Sequence, residues 1–373
     1  MKLLHTSDWH VGRKIGGRSR AEEHREVLAE IAGIASAEEV DVTLVAGDLF
    51  DMSSPSPEDE QIVFSSLLDL AETAPVVMIA GNHDGARRLE ALRPVMRLAG
   101  IDAVGLPTRP EDGGVVALED LGLKVAALPF VKKSAVVRAA EIMELDPDQL
   151  QQDFEGRMRQ LIDSLTADMG TDSVNVFLSH LTAVGGTIGS ERHVFDYAVP
   201  QQAFPGHLSY VALGHLHRQQ RVPAGPPVWY SGSPLQLDFG EVDDVKGVLI
   251  VDAEPGKPAQ VNPMPLRSGV RLVQVEGTLD QVLARSGELE GCYVKVVLDE
   301  KGRAGLNDEV REAVPGAVTV ETRPVAAAER REPKQRVGAS PAEIFAAYLA
   351  AKDVDDPAVL ELFGEIEAEV MSG

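Results

Sequence analysis

Short apolar runs alternate with amphipathic stretches through the first 250 residues of the chain. KLLHT (2–6), DVTLVAG (41–47), PVVMIAG (75–81), LKVAALPF (123–130), VNVFLSH (174–180) and LSYVALGH (208–215) read as buried strands. They are too short for helices and carry consecutive β-branched or apolar residues. Between the first three, Ala21–Ala37 and Glu58–Thr73 place apolar residues at helical spacing, so the order is βαβαβ. That order predicts an α/β fold with helices on both faces of a sheet, and functional groups where strands end. VWYSGSPLQLDFG and GVLIVD read as closing strands of the same domain, placed at residues 1–255.

The pattern then changes. Pro263–Pro324 has its own β-α-β-α-β rhythm and is expected to form a small second α/β domain, residues 263–325. The stretch 326–339 is polar, basic and interrupted by proline, as in a linker. Residues 340–373 predict two helices. Ser340, Pro341 and Glu343 make a capping box, and Ile344, Phe345, Tyr348 and Leu349 share one face. In the second helix Val359, Leu362, Phe363, Ile366 and Val370 form an apolar stripe backed by glutamates. Such a pair either docks on its own body or binds a partner, since it has little core of its own. The exposed or buried status of Ile62, Phe64, Leu67 and Leu68 is open in the same way: a dimer face or a monomer core.

Composition narrows the chemistry. At 373 residues and 44% hydrophobic content, a sizeable core is expected. The first ten residues turn polar too soon for a signal peptide, and no run approaches the roughly 20 apolar residues of a membrane span, so a cytoplasmic protein is expected. With Cys292 as the only cysteine, internal disulfides and multi-cysteine metal sites are excluded. A net charge of −24 argues against a protein that coats nucleic acid by electrostatics alone. Phosphate binding would have to be local, and Arg13, Lys14, Arg18 and Arg20 form the basic cluster able to provide it.

The polar residues of interest all follow predicted strands: Asp8 and His10, Asp48, Asn82 and His83, His180, then His215 and His217. Period-two alternation would put Asp8 with His10, and His215 with His217, on one side of an extended segment. Separate burial of each would leave unpaired polar groups costing on the order of 1–3 kcal/mol apiece. A shared metal site satisfies them together. Seven donors are too many for one ion and suit two ions sharing a carboxylate; the donor set favours manganese, iron or magnesium over structural zinc. Such a pair serves displacement at phosphorus. Gly47 and Gly81 would allow the close turns required, and His5, His24 and His207 lie off these strand ends as structural histidines.

The series DWH, GDLFD, GNHD, SH and GHLH resembles the calcineurin-like binuclear metallophosphoesterases. With SERHVFDYAVP, YVALGHLHRQQ, YSGSPLQLDFGE and SPAEIFAAYL, the whole chain resembles the SbcD family of bacterial nuclease subunits. The resemblance implies a sandwich of mixed sheets flanked by helices, with a capping domain and a C-terminal helical pair. It implies two Mn2+ ions, or Mg2+ in their place. Asp8, His10, Asp48 and His217 would hold one ion, and Asp48, Asn82, His180 and His215 the other. His83 would act on the leaving oxygen without binding metal, its ring held by Asp84. In archaeal members a histidine stands three residues beyond the bridging aspartate; here that residue is Asp51. The implied activity is a 3′-to-5′ double-strand exonuclease and single-strand endonuclease acting on DNA. The implied partner is the SbcC ATPase, bound through the C-terminal helices, in a heterotetramer built on a homodimer. Two rivals stand beside this reading: a phosphoesterase acting on small molecules or proteins, and a non-catalytic scaffold of the same fold.

Overall fold

A computed structural model describes residues 1–131, 147–187 and 198–323, together with Leu349 and Phe363. The chain divides into two compact units, Met1–Arg323 and Pro324–Gly373.

In the first unit, strands β1 (Lys2–Thr6), β2 (Val42–Val45), β3 (Val76–Ile79) and β4 (Ile101–Val104) run parallel in one sheet. Helices α1 (Ala21–Ala37), α2 (Pro57–Thr73) and α3 (Ala86–Arg97) connect them. A second sheet holds β5 (Val115–Leu118), β6 (Leu123–Leu128), β7 (Val174–His180), β8 (Tyr210–Gly214), β9 (Gln220–Val222) and β10 (Val228–Tyr230), in the order β5-β6-β7-β8-β10-β9. Helix α4 (Pro147–Thr166) precedes β7. Strands β11 (Gly247–Asp252) and β12 (Gln260–Pro265) return antiparallel to the first sheet beside β1. The first sheet therefore continues past residue 255, the boundary expected from the sequence.

The two sheets pack face to face, which explains the unbroken apolar runs. In β1, Leu3 enters the layer between the sheets while Leu4 faces the helices; Val77 and Ile79 in β3 divide from Val76 and Met78 in the same way. Each sheet thus has helices on one face and the other sheet on its opposite face, a correction to the expectation of helices on both. The capping box of α2 is complete: Ser56 Oγ accepts from Asp59 N, and the Asp59 carboxylate accepts from Ser56 N. α2 buries Ile62, Val63, Leu67 and Leu70 against α1 residues Val27, Leu28 and Ile31, each side chain contributing roughly 1.5–3 kcal/mol of transfer free energy. Ile62 and Leu67 are thus core residues; Phe64 is partly buried against them, and Leu68 is 49% exposed.

Strands β13 (Leu272–Gly277), β14 (Tyr293–Leu298) and β15 (Ala317–Thr322) form a separate parallel sheet with helices α5 (Leu279–Ala284) and α6 (Leu306–Ala313). In the second unit, Leu349 and Phe363 are helical and Leu349 is buried. Ile344, Phe345, Tyr348, Leu362 and Ile366, expected to bind a partner, lie outside the described residues. No helix among the described residues is long and apolar enough to cross a membrane.

Candidate metal centre

β1, β2 and β3 end on the loops carrying Asp8 and His10, Asp48, and Asn82 and His83. In the second sheet β7 ends on His180, and β8 leads into His215 and His217. Main-chain bonds lace these loops together: Asp8 N donates to Gly47 O at 2.9 Å, His10 N to Asp48 O at 3.0 Å, and Asp51 N to Val11 O at 3.0 Å. Phe130 N, just past β6, donates to Ala80 O at 3.0 Å and ties the second sheet to the first.

Three overlapping donor sets result: Asp8, His10 and His217; Asp48, His180 and His215; and His10, Asp48 and His83, with the donor atoms of each set within 4.8 Å of one another. Asn82 Oδ1 lies 2.9 Å from both His180 Nε2 and His215 Nδ1. All seven donors picked out in the sequence meet in one place. They do so by backbone strain and not by strand alternation. Asp8, His10, Asp48 and His215 have positive φ values of 53°, 46°, 53° and 102°. Among the described residues Glu39 alone joins them as a non-glycine residue there. Such conformations cost on the order of 1–3 kcal/mol each and persist only where surrounding contacts enforce them. Gly81 is required by proximity: a Cβ there would stand 2.1 Å from Asp48 Oδ1. Gly47 combines a φ of 86° with a Cβ position 2.7 Å from His180 Nδ1.

The residues fit a pair of divalent ions. His10 is buried, and neither ring nitrogen has a hydrogen-bond partner among the described residues. The nitrogens stand 3.5 Å from carboxylate oxygens of Asp48 and Asp51, leaving a costly buried polar ring that a metal would satisfy. The donors are carboxylate, imidazole and amide, without thiolate. His180 Nδ1 lies 2.8 Å from Ala46 O, which can only accept, so Nδ1 carries the proton and Nε2 faces the centre. Burial pushes Asp48 toward protonation, but His180 and His10 beside it hold its carboxyl far below the usual range. Burial likewise opposes a charged His180, and the Asp48 carboxylate outweighs it and raises the ring's pKa.

His83 and Asp84 divide differently from expectation. His83 N donates to Asp48 Oδ1 at 2.8 Å, and its Nδ1 donates to the Asp51 carbonyl at 2.7 Å. The Asp84 carboxylate accepts from Gly81 N, Leu49 N and Phe50 N at 2.8, 3.0 and 3.2 Å. The expected Asp84 bond to the His83 ring is therefore replaced by one from the ring to the Asp51 main chain. Asp84 instead clamps the two turns that carry Asp48 and Asn82.

The basic cluster also separates. Arg20 is buried, donates to both carboxylate oxygens of Glu23 and to Gln236 O, and lies over the Tyr293 ring. It is a structural cation, not the DNA contact expected from the sequence. Arg18 donates to Pro315 O, Arg13 faces Asp51, and Lys14 is exposed. His5, His24 and His207 bond away from the centre, to Tyr210 Oη, to the carbonyls of Arg20 and Trp9, and to Thr166 O.

Residues 1–219 match the family profile described as calcineurin-like phosphoesterase, and residues 268–353 match that of the type 5 capsule protein repressor C-terminal domain. The SbcD subunit of the nuclease SbcCD from Bacillus subtilis strain 168 is 35% identical over 341 residues, spanning 87% of this chain and 86% of that protein. The chain belongs to the SbcD family of calcineurin-like phosphoesterases. The protein of the same name from Rhodobacter capsulatus is 34% identical over 310 residues, covering 76% of this chain and 75% of its own. That of Staphylococcus epidermidis is 28% identical over 297 residues, covering 76% and 74%.

Around the centre of this SbcD-family chain stand residues that sequence reasoning passed over. Ser7 Oγ donates to Asp8 Oδ2 at 2.5 Å and lies 2.7 Å from Ser231 Oγ. The buried Glu241 receives His217 Nδ1 at 2.9 Å. Both Ser231 and Glu241 lie in YSGSPLQLDFGE, but no periodicity relates them to DWH or GHLH.

Proposed function

We propose that the centre cleaves DNA phosphodiesters as the nuclease component of an ATPase-driven DNA-processing complex. The chain is a metal-dependent hydrolase of the SbcD nuclease family, and the observation that carries the reading is the convergence of seven donors in overlapping groups linked through His10 and Asp48, with His83 beside them. Asp8, His10, Asp48 and His217 would hold one ion and Asp48, Asn82, His180 and His215 the second, with Mn2+ the metal and Mg2+ its substitute. Two such ions polarise the phosphate, acidify water and neutralise developing charge. His83 contributes an imidazole whose Nδ1 proton is committed to the Asp51 carbonyl, so its Nε2 side exchanges the proton with the leaving oxygen. The Asp48 carboxylate holds the main chain of that same residue, coupling the bridge to the acid.

The finer assignment is a 3′-to-5′ double-strand exonuclease and single-strand endonuclease in the cytoplasm. Its partner is the SbcC ATPase, engaged by the C-terminal helices, and the chain dimerises within a heterotetramer. Arg13, Lys14 and Arg18 guide the DNA backbone; the net charge of −24 demands such local contacts. The test is cleavage of end-labelled DNA with Mn2+, with Mg2+ and with chelator. Metal-dependent loss of the 3′ label supports the reading, whereas turnover of an aryl phosphodiester with intact DNA would move the substrate to small phosphoesters.

A further inference from the structure

We infer that Glu241 is a positioning residue that sets the tautomer and direction of His217, so that one of the two ion positions depends on a carboxylate that itself binds no ion. The inference rests on the reading of His217 as a metal ligand.

Glu241 closes a short 3-10 turn, Phe239–Glu241, which Asp238 caps by accepting Gly240 N at 2.6 Å. Its residue is 1% exposed. A carboxylate so buried is costly unless its oxygens are filled, and here three donors fill them. Leu237 N and Lys246 Nζ reach Oε2 at 3.0 and 2.6 Å, and His217 Nδ1 reaches Oε1 at 2.9 Å. Since a carboxylate only accepts, Nδ1 carries the proton and Nε2 is the nitrogen able to bind an ion.

Lys246 reinforces the arrangement. It also donates to His217 O at 3.0 Å and to Ser233 Oγ at 2.9 Å, so the same Glu–Lys pair holds both the ring and the main chain of His217. The ring then stands edge-on to His10, with centroids 4.9 Å apart, in the set that includes Asp8. In the second set, His180 presents its Nδ1 to a neutral carbonyl. An imidazole backed by a carboxylate is the more basic donor, so the two ion positions should respond unequally to loss of Glu241. A buried ion pair that merely pinned the 233–246 loop would show no such selectivity.

The experiment uses the full chain, stripped with chelator and titrated with Mn2+ by calorimetry. The wild type should bind two ions. Glu241→Gln, near in shape and neutral, should weaken one ion by roughly 10–100-fold and leave the other unchanged. Thermal unfolding of the metal-free variant reports folding separately. Two ions bound by the variant with wild-type affinities, or equal weakening of both, overturns the inference while leaving the metal reading intact. Fewer than two ions on the wild type overturns the metal reading and the inference with it. Should the variant not fold, ring 15N shifts of His217 in the wild type with Mg2+ decide: a protonated Nδ1 supports the assignment, and a protonated Nε2 refutes it.

Discussion

Replacing Asp84 with asparagine should destabilise the turns of the metal centre and leave the environment of the His83 ring unchanged. The carboxylate serves three main-chain donors: Leu49 and Phe50 on one oxygen, and Gly81 on the other. An asparagine keeps a single oxygen. If that oxygen faces Leu49 and Phe50, the new NH2 meets Gly81 N–H donor to donor; the opposite orientation strands two amides. Above about pH 7, where Asp84 is ionised, the cheaper choice leaves one buried donor unmet, about 1–3 kcal/mol, and removes charge assistance from the other bonds, for a total of roughly 2–4 kcal/mol. Alanine would strand all three, a loss of roughly 3–9 kcal/mol that rivals the 5–15 kcal/mol stability of a typical domain. The pH dependence carries a sign. Burial, then the charge on Asp48, pushes Asp84 up to about 7, against the pull of the amides. A folded-state pKa above the unfolded one makes this group's contribution fall as pH rises from about 4 to 7, and asparagine removes that fall. The deficit of Asp84→Asn should therefore shrink across the same window. Denaturant unfolding of chelator-stripped protein measures both effects, with DNA cleavage on metal-loaded samples. Unchanged stability together with a large drop in turnover would refute the clamp and return Asp84 to the role of orienting His83.

His83→Gln should keep two bound ions and DNA affinity while cleavage falls by roughly 10²–10⁴-fold, whereas Asp48→Ala should lose metal and activity together; metal analysis beside cleavage on both variants decides. Neutralising Arg13, Lys14 and Arg18 should flatten the salt dependence of DNA binding, while Arg20→Ala should lower stability, because it leaves the buried Glu23 without its cation. Truncation before Ser340 should abolish association with the ATPase and preserve metal-dependent cleavage, since every proposed ligand precedes residue 218; co-purification and nuclease assays check it. Burial holds His5 at about 3, so the unfolded chain gains its proton near 6.5 and the folded chain near 3. Stability should rise with pH over that window, and His5→Gln should reduce the slope by up to about 1.4 kcal/mol per pH unit, read from denaturant unfolding at several pH values.

The strands, the helices α1 and α2 and the set of donors were legible because each has a local cause. A buried strand must be apolar along its length, a helix on a sheet must repeat its apolar face, and an isolated carboxylate or imidazole after such a strand is conspicuous. α3, α4, β4, β5, β9 and β12 were passed over. β4 and β5 are four residues each, β9 is three, and in β12 four of six residues are exposed and two are prolines. The doubling of the sheet was also hidden from periodicity, since a strand covered by helices on both faces and one covered by a helix and a second sheet share the same apolar pattern. Five strand ends named the donors, but only packing decided how they meet. The approach of Asp8 and His10 depends on left-handed backbone enforced by bonds to Gly47 and Asp48, and although Asp and His are enriched there among non-glycine residues, they adopt it too seldom for the sequence to show it. Arg20 and Lys14 are both basic residues within one short loop, yet one is buried against Glu23 and the other faces solvent. Asp84 and Glu241 act on partners 34 and 24 residues away, through the main chain of Phe50 and the ring of His217. Local propensity therefore determined the elements and the chemistry available at their ends; the division of that chemistry between ligand, acid and support was decided by long-range contacts that exist only once neighbouring strands have paired and the two sheets have packed.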